Sequence, residues 1–555
     1  MADPGEMRRL EENLSALASR QPSLAAAVHA AAPDARLVPL TARNGLIVPG
    51  VRSAAGTVPL HSLYDPRLEA ARLAATLQGA GFLVVCGMGA GFHVAALLEH
   101  PGVFAVMVIE KNAAVLRSLL GQILDARLFA DPRLVLVAGQ EAIRTTVLTV
   151  WQPALMGGMR TVPLRPWCDE EPAFFDAAAL EVQAAIEEVR GDYSVQSHFG
   201  KRWFTNILMN LQRVRSAPHA IPHSGTAAVT AAGPSLEKQL PRLAAERDQL
   251  LLVATDTSLP ALLRSGIKPD AVLSIDCQNH GYHHFLQGMP AATSLFLDLA
   301  SPAVLARRAV PPVFVASAHP FIRYLDSHWR RLPQIDTSGG NVTHAAVSLA
   351  RTLGARRIAV YGADFSYPDG KAYARGTYLY DYFWTEQSRL STAEAKFFSF
   401  VHGSALARRE SQGGRVIYTT TVLRGYRERF MRLMETIDAD VIPIPGAGLD
   451  LVRRREKTPA STAAEADLWP PPVDSLVPSW REFLSHYARE VELLPMVTAV
   501  STGHEKELWS TILPVAARVV REGCGPGPAA LEEARRWTLE RIRRVLQAPA
   551  DSPRV

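Results

Sequence analysis

The chain has 555 residues, 48% of them hydrophobic and 20% charged, with a net charge of +5. That length exceeds what one core can serve and predicts roughly two to four domains of ordinary globular composition. The small basic excess is mostly dispersed arginine, and no aromatic-basic RNA motif or zinc-finger spacing accompanies it, so a nucleic-acid partner is not expected. The four cysteines, Cys86, Cys168, Cys277 and Cys524, are isolated and form no CxxC pair. They predict reduced thiols, no structural zinc and a cytoplasmic setting. Met1 to Glu12 opens as a helix of mixed charge, where a secretory leader needs a basic then apolar run. No apolar run reaches the roughly eighteen residues of a membrane span, so insertion is not expected.

Taken in chain order, a helix is predicted over Glu6–Ala18 and a β-rich stretch over Leu37–Val58. Asp65-Pro66 opens a further helix. Gly81-Phe-Leu-Val-Val-Cys-Gly-Met-Gly-Ala-Gly91 reads as a strand running into a Gly-rich turn and a helix through Glu99. The next strand, Ala105–Ile109, ends on Glu110. Strand, turn, helix, strand, acid is the Rossmann order that suits an adenosine ribose; packing glycines without a ligand give the same pattern. Residues 151–220 read as a helical connector. It contains His198-Phe-Gly-Lys-Arg-Trp-Phe-Thr-Asn206 and Asn210, whose amides are expected to cap or bridge helices.

Residues 221–445 alternate short apolar strands with helices, which implies a second parallel sheet covered on both faces. Strands are expected at Ala227–Thr230, Leu250–Ala254, Ala271–Ile275, Ser294–Leu297, Val313–Val315, Ile358–Val360 and Val441–Ile444. A linker follows over 446–474, with Arg453-Arg-Arg-Glu-Lys457 and Pro470–Pro472, and then a helical C-terminal domain over 475–555. The fold class is thus a multidomain α/β chain. It has two Rossmann-like, doubly wound parallel-sheet domains (1–150 and 221–445) and a helical C-terminal domain.

The chemistry is expected beyond the carboxyl ends of the second sheet's strands. Gly233-Pro234 makes a tight turn, and Ser235 is placed to cap the next helix, whose first amides suit an anion. With no GK[ST] ending, this is not a Walker loop. Asp256 and Asp276 close two apolar runs, LLLVATD and AVLSID. They suit a ribose or base contact, a divalent cation, or general-base work, and equally an ordinary helix cap; Asp364 is similar. Ser338, Gly339, Gly340 and Asn341 form a second small polar loop at a helix start, fit for a phosphate or carboxylate. Tyr367 and Tyr373 are phenols able to donate to a departing phosphate without a metal, or plain packing residues. His344 and His402 are candidate bases.

The motifs HSLYDP (61–66), VVCGMGAGFH (84–93), VIEKN (108–112), HFGKRWFTN (198–206), AAGPSL (231–236), DAVLSID (270–276) and GNVTHAAVSLARTLGARRIAVYGADFSYPDG (340–370) occur in that order. Together they resemble the motility-associated factor (Maf) family, whose members share a 6-hydroxymethylpterin diphosphokinase MptE-like domain. The resemblance spans about residues 40–445. It implies a cytoplasmic glycosyltransferase that moves a pseudaminic- or legionaminic-type nonulosonic acid from its CMP-activated form onto Ser or Thr of flagellin, supporting flagellum assembly.

The central domain is also similar to bacterial CMP-sialic-acid sialyltransferases. That similarity implies that Gly233, Pro234 and Ser235 hold the donor and that Asp256 and Asp276 occupy two Asn positions. Thr337, Ser338 and Gly339 then match a TSG loop, and Tyr367 and Tyr373 attend the leaving phosphate. Thr257, Gly340, Asn341 and Asp364 are expected beside the nucleotide. The family's catalytic His lies beyond the tyrosines, which points to His402. This chain departs in having Ala232 for an Asn, aspartates for both strand-end asparagines, and Ser366 before Tyr367. An inverting transfer is expected, with CMP-sugar and flagellin as partners, no resident cofactor firmly implied and a divalent metal left open. The rivals are a Mg²⁺-dependent pterin diphosphokinase using ATP, with Asp256, Asp276 and Asp364 as metal ligands, and a non-enzymatic flagellin-binding factor.

Overall fold

The computed structural model describes residues 4–53, 56–77, 79–123, 126–214, 225–307, 311–403, 408–412, 414–452, 478–496 and 503–548. They form two compact units, 1–200 with 489–540, and 201–488 with 541–555. The division falls at 200/201, where boundaries near 150 and 220 were expected.

In the first unit, β1 (Leu37–Thr41), β2 (Ile47–Ser53) and β3 (Gly56–Pro59) make an antiparallel meander. A second sheet is all parallel, with β4 (Ala80–Cys86), β5 (Ala105–Glu110), β6 (Leu134–Ala138) and β7 (Gly158–Pro163) in the order β6-β5-β4-β7. Every residue of β5, and of β4 from Gly81 on, is buried, as continuous apolar strands demand when helices cover both faces. Asp65 starts the helix Pro66–Ala75 by accepting from the amides of Arg67 and Leu68, and Asn112 starts Ala113–Gln122 by accepting from that of Val115. Strand β7 lies inside the stretch read as a helical connector. Five of its six residues are exposed or half-buried edge positions with no apolar run, so composition alone does not reveal it.

The helices Gly503–Val519 and Pro528–Gln547 follow, and 503–540 belong to this first unit, so the C-terminal helices are not a separate body. A Cβ on Gly200 would stand 1.7 Å from the Pro514 carbonyl oxygen, so the helix Pro172–Leu211 meets Gly503–Val519 backbone to backbone there. Among the described residues no helix is long and apolar enough to cross a membrane.

The second unit is built on a seven-stranded sheet: β8 (Thr226–Thr230), β9 (Leu251–Thr255), β10 (Ala271–Ser274), β11 (Ser294–Asp298), β12 (Val313–Val315) and β13 (Arg357–Tyr361), with a late strand after a small hairpin sheet. That small sheet pairs β14 (Tyr367–Pro368), β15 (Arg408–Gln412) and β16 (Arg415–Thr419), and the late strand is β17 (Asp440–Pro443). The large sheet's order is β12-β11-β10-β9-β8-β13-β17, and every pairing is parallel. The chain winds outward from β8 to β12, crosses back, and continues at β13. The topological switch point therefore lies between the carboxyl ends of β8 and β13, where ligands bind in such sheets.

The helix Val342–Thr352 makes the return crossing over β8, β9, β10 and β13. Its Ala345, Ala346, Val347, Leu349 and Ala350 are completely buried, the alanines allowing close approach to the sheet. Because this helix leads into a strand parallel to β8, its N-terminus lies at the carboxyl edge. The expected linker begins later than 446. Residues 446–449 pack on the switch point, and the rest of the expected linker from 453 on, with its Arg cluster and prolines, lies outside the described residues.

Candidate functional site

At the switch point the turn after β8 is held by the turn after β13. Asp364 accepts the Ser235 amide at 2.8 Å on Oδ2 and the Ser235 hydroxyl at 2.5 Å on Oδ1. The Ser235 oxygen in turn accepts the Ala447 amide at 2.7 Å. Ser235 therefore does not cap its helix, as expected, but clamps two loops together. The anion at this helix start is the chain's own Asp364, which is buried; desolvation raises its pKa, opposed by the Ser235 bonds. Gly233 is required here because a Cβ would stand 2.3 Å from Asp364 Oδ2. Pro234 continues this same turn. Phe365, next along, sits at φ +46°, a left-handed conformation costly for an aromatic residue and held by the Asp364 clamp on one side and Phe430 on the other.

Two strand-end acids stand beside this clamp. Asp256 is buried; its Oδ1 accepts the Thr257 amide (2.6 Å) and hydroxyl (3.0 Å), and its Oδ2 accepts Ser274 Oγ (2.6 Å). Asp276 is open to solvent and accepts the Gln278 amide at 2.9 Å. Its pKa is raised, by surrounding protein first and by the charge of Asp256 next. Asp256, Asp276 and Asp364 do not bring three carboxylates within ion-binding distance among the described residues.

Of the two tyrosines, Tyr373 lies within electrostatic reach of Asp256 and of Tyr367. The loop bearing Tyr373 is anchored to the switch point by the Ala374 amide on the Ala232 carbonyl (2.9 Å) and by Glu237, which binds Lys371 Nζ (2.8 Å) and the Arg375 amide (2.6 Å). Tyr373 lies deep, and desolvation, then Tyr367, Tyr378, Asp256 and Tyr426, pushes its phenol well above the ordinary range. Tyr367 is raised too, by burial and Tyr426. Both phenols, protonated at neutral pH as tyrosines ordinarily are, can act as donors. Phe400 packs against both rings, at 6.4 and 6.1 Å between centroids.

The second polar loop meets the same edge. Asn341 starts the helix by accepting the His344 amide at 3.0 Å, and Gly340 takes φ +69°. The Ser338 amide donates to Asp336 Oδ1 at 2.8 Å, and Thr337 is half-buried beside it. His344 is buried and binds Asp336 Oδ2 at 2.9 Å, which holds that carboxyl far below its usual range. His344 thus braces the loop instead of lying open as a base. Arg429 Nε donates to the Gly339 carbonyl at 3.1 Å, and its guanidinium lies over Tyr426 at 5.4 Å. Tyr426 and Arg429 were not singled out from sequence, since the helix Thr421–Thr436 reads as an ordinary amphipathic one.

His402 ends the helix Ala393–His402. Its Nδ1 pairs with the Phe398 carbonyl at 3.0 Å, and its ring stacks on Phe398 at 4.1 Å and meets Tyr418 at 4.6 Å. The Asp276 side instead carries His280, His283 and His284 on the short 3-10 helix Asn279–Phe285. The run Asn279-His-Gly-Tyr-His-His-Phe285, shortly after a strand-end acid, is the sequence signal for this cluster.

The amides of the connector helix were expected to cap or bridge helices, and they instead hold two strand-end loops. Asn206 Nδ2 donates to the carbonyls of Cys277 (3.0 Å) and Ala300 (2.8 Å), and Asn210 Nδ2 to those of Leu299 (2.9 Å) and Ser301 (2.8 Å). They fix the loops after β10 and β11.

The Gly-rich turn of the first unit is filled by its own chain. Glu110 is completely buried, accepting the Met88 amide at 2.5 Å and Trp167 Nε1 at 3.0 Å, and burial pushes its pKa up to about 7. His61 Nε2 accepts the Ala90 amide at 2.9 Å, and a Cβ on Gly89 would stand 2.3 Å from that nitrogen. Trp167 and Leu164 pack against Gly87. The acid expected to meet a ribose thus meets Trp167 and the turn, and the glycines serve close packing.

Residues 201–370 match the family model "6-hydroxymethylpterin diphosphokinase MptE-like". Two uncharacterised proteins of Treponema pallidum (strain Nichols) are similar. One is 34% identical over 135 residues, 24% of this chain and 64% of that protein; the other is 39% identical over 118 residues, 21% and 41%. The match thus spans less than two thirds of each relative's length. Among solved structures, a Maf glycosyltransferase from Magnetospirillum magneticum AMB-1 has a TM-score of 0.54 at 15% identity, covering 98% of this chain and 94% of that one. Residues 201–370 thus match the MptE-like family model, in a chain with the fold of that Maf glycosyltransferase.

Proposed function

We propose that this chain is a glycosyltransferase that moves a nonulosonic acid, of pseudaminic or legionaminic type, from its CMP-activated form onto Ser or Thr hydroxyls of flagellin. The observation that carries this reading is that Tyr373, in a loop anchored to the switch-point turn, lies within reach of both Tyr367 and Asp256. Preorganised neutral donors in a desolvated site stabilise the charge that grows on a leaving phosphate. The fold shared with a Maf glycosyltransferase supports the same class of chemistry.

In this reading the donor lies across Gly233–Ser235, with cytidine towards Asp256, Thr257 and Asp276. The sugar carboxylate lies towards Thr337–Asn341 and the Arg429 that braces that loop. CMP departs as the acceptor oxygen attacks the opposite face of the anomeric carbon, which inverts it. The diphosphokinase alternative needs Asp256, Asp276 and Asp364 on one cation, and Asp364 already holds both its oxygens on Ser235.

Calorimetric titration with CMP, and with ATP plus Mg²⁺ as comparison, tests the proposal. Metal-independent CMP binding, weakened in Tyr367→Phe with Tyr373→Phe, is expected. Donor turnover should fall by about 10²–10³ per phenol removed. Binding of ATP only with Mg²⁺, and none of CMP, would replace transfer by kinase chemistry. Binding of neither would leave a flagellin-binding factor.

A further inference from the structure

We infer that His284, and not the later His402, is the base that takes the proton from the acceptor hydroxyl; this rests on the transfer reaction proposed above. The short helix Asn279–Phe285 follows Asp276 and sets three imidazoles around one phenol. Tyr378 meets His284 edge-on at 4.6 Å between centroids, stacks on His283 at 5.8 Å with 21° between planes, and meets His280 edge-on at 5.8 Å. Tyr378 begins the helix Tyr378–Thr385, five residues beyond Tyr373, so this group adjoins the tyrosines assigned to the leaving phosphate.

Within the group His284 is distinctive. Its Nδ1 is closed off from solvent without a hydrogen-bond partner. Enclosed polar atoms left unpaired are rare and mark sites whose partner or chemistry arrives with a ligand. With its proton on Nδ1, His284 presents the Nε2 lone pair to a substrate. Asp276 lies within electrostatic reach of His284, so the imidazolium formed on proton transfer has a carboxylate to steady it. The other titratable groups around it are His280, His283 and Tyr378, with Asp256 acting on Tyr378 from β9's end. His402, by contrast, has its ring stacked on Phe398 and set edge-on to Tyr418, away from Asp276 and the histidine group.

The acceptor oxygen bonds to the anomeric carbon while that carbon's bond to the CMP phosphate oxygen breaks. The bonding electrons leave with CMP, and the hydroxyl proton passes to His284 Nε2 and then to solvent. His283 and His280 position Tyr378 and do not touch the reacting atoms.

The test uses the full chain with flagellin as acceptor and CMP-pseudaminic and CMP-legionaminic acids as donor probes. His284→Gln is expected to lower kcat for transfer by about 10²–10⁴, with donor KM and CMP affinity unchanged. His284→Ala should regain part of its rate with added imidazole, and His402→Gln should keep its rate. Unchanged CMP affinity also shows that the variants are folded. Full kcat in His284→Gln, or loss of rate in His402→Gln with no imidazole rescue of His284→Ala, overturns the assignment and leaves the transferase reading standing. A wild-type chain that neither binds CMP nor transfers either sugar overturns the transferase reading itself, and the assignment with it.

Discussion

Asp364 is an acid at a strand end whose role follows from its neighbours and not from its position. Its two oxygens hold the Ser235 amide and hydroxyl across 129 residues of sequence. Ser235→Ala removes one of these bonds from a buried carboxylate, which costs about 1–3 kcal/mol. A lower melting temperature of the unit 201–488 is expected by differential scanning calorimetry. Asp276 is the opposite case, open to ligand with a raised pKa. A protonated carboxyl donates a hydrogen bond as an amide does, and a carboxylate does not. Because the folded pKa is raised, the donating form persists to higher pH than in an ordinary aspartate and is lost as pH rises through the folded pKa. Affinity for cytidine, which carries no titrating phosphate, should therefore increase as pH falls. Asp276→Asn should flatten that dependence and strengthen binding at pH 8 by about tenfold, or ~1.4 kcal/mol. Titration at several pH values decides it, and a variant that keeps the wild-type slope removes Asp276 from the nucleotide contact.

At the scale of elements, the strands of the central sheet were legible because each is a short apolar run bounded by turn residues. Strand β7 was not legible, because this edge strand buries one residue of six and shows no such run. The loop at Thr337–Asn341 shows how local composition and packing combine. A Cβ on Gly339 would stand 2.2 Å from the His344 ring, so Gly339→Ala must displace the His344–Asp336 pair or the loop itself. Weaker CMP-sugar binding with little change in affinity for CMP alone is expected, since this loop is assigned to the sugar carboxylate. Equal loss for both ligands would place the loop at the nucleotide instead. The three histidines on Asn279–Phe285 precede Tyr373 in the chain, so chain order does not mark them as bases. The sheet, however, brings β10's end and the Tyr378 helix together in space.

For the molecule as a whole, residues 489–540 complete the first unit although roughly 290 residues separate them from its other part. Gly200 and Pro514 meet there at backbone contact. A chain ending at residue 488 should therefore lose stability in its first unit, in contrast to the clean removal of an appended domain. Limited proteolysis should show cleavage within 1–200 that the full chain resists. Equal resistance would mean that 1–200 folds without those helices.

By itself, the sequence determined the α/β class, the positions of the apolar strands, the small-residue turns at 231–236 and 337–341, and the acids and phenols at one sheet edge. Those are local consequences of burial and turn chemistry, and they are written in consecutive residues. The tertiary structure alone decided which acids are free. It tied Asp364 to Ser235, closed Glu110 under Trp167, and left Asp276 open beside His284. A carboxylate's role depends on what desolvates it and what donates to it, and those groups arrive from distant parts of the chain only when the sheet has formed.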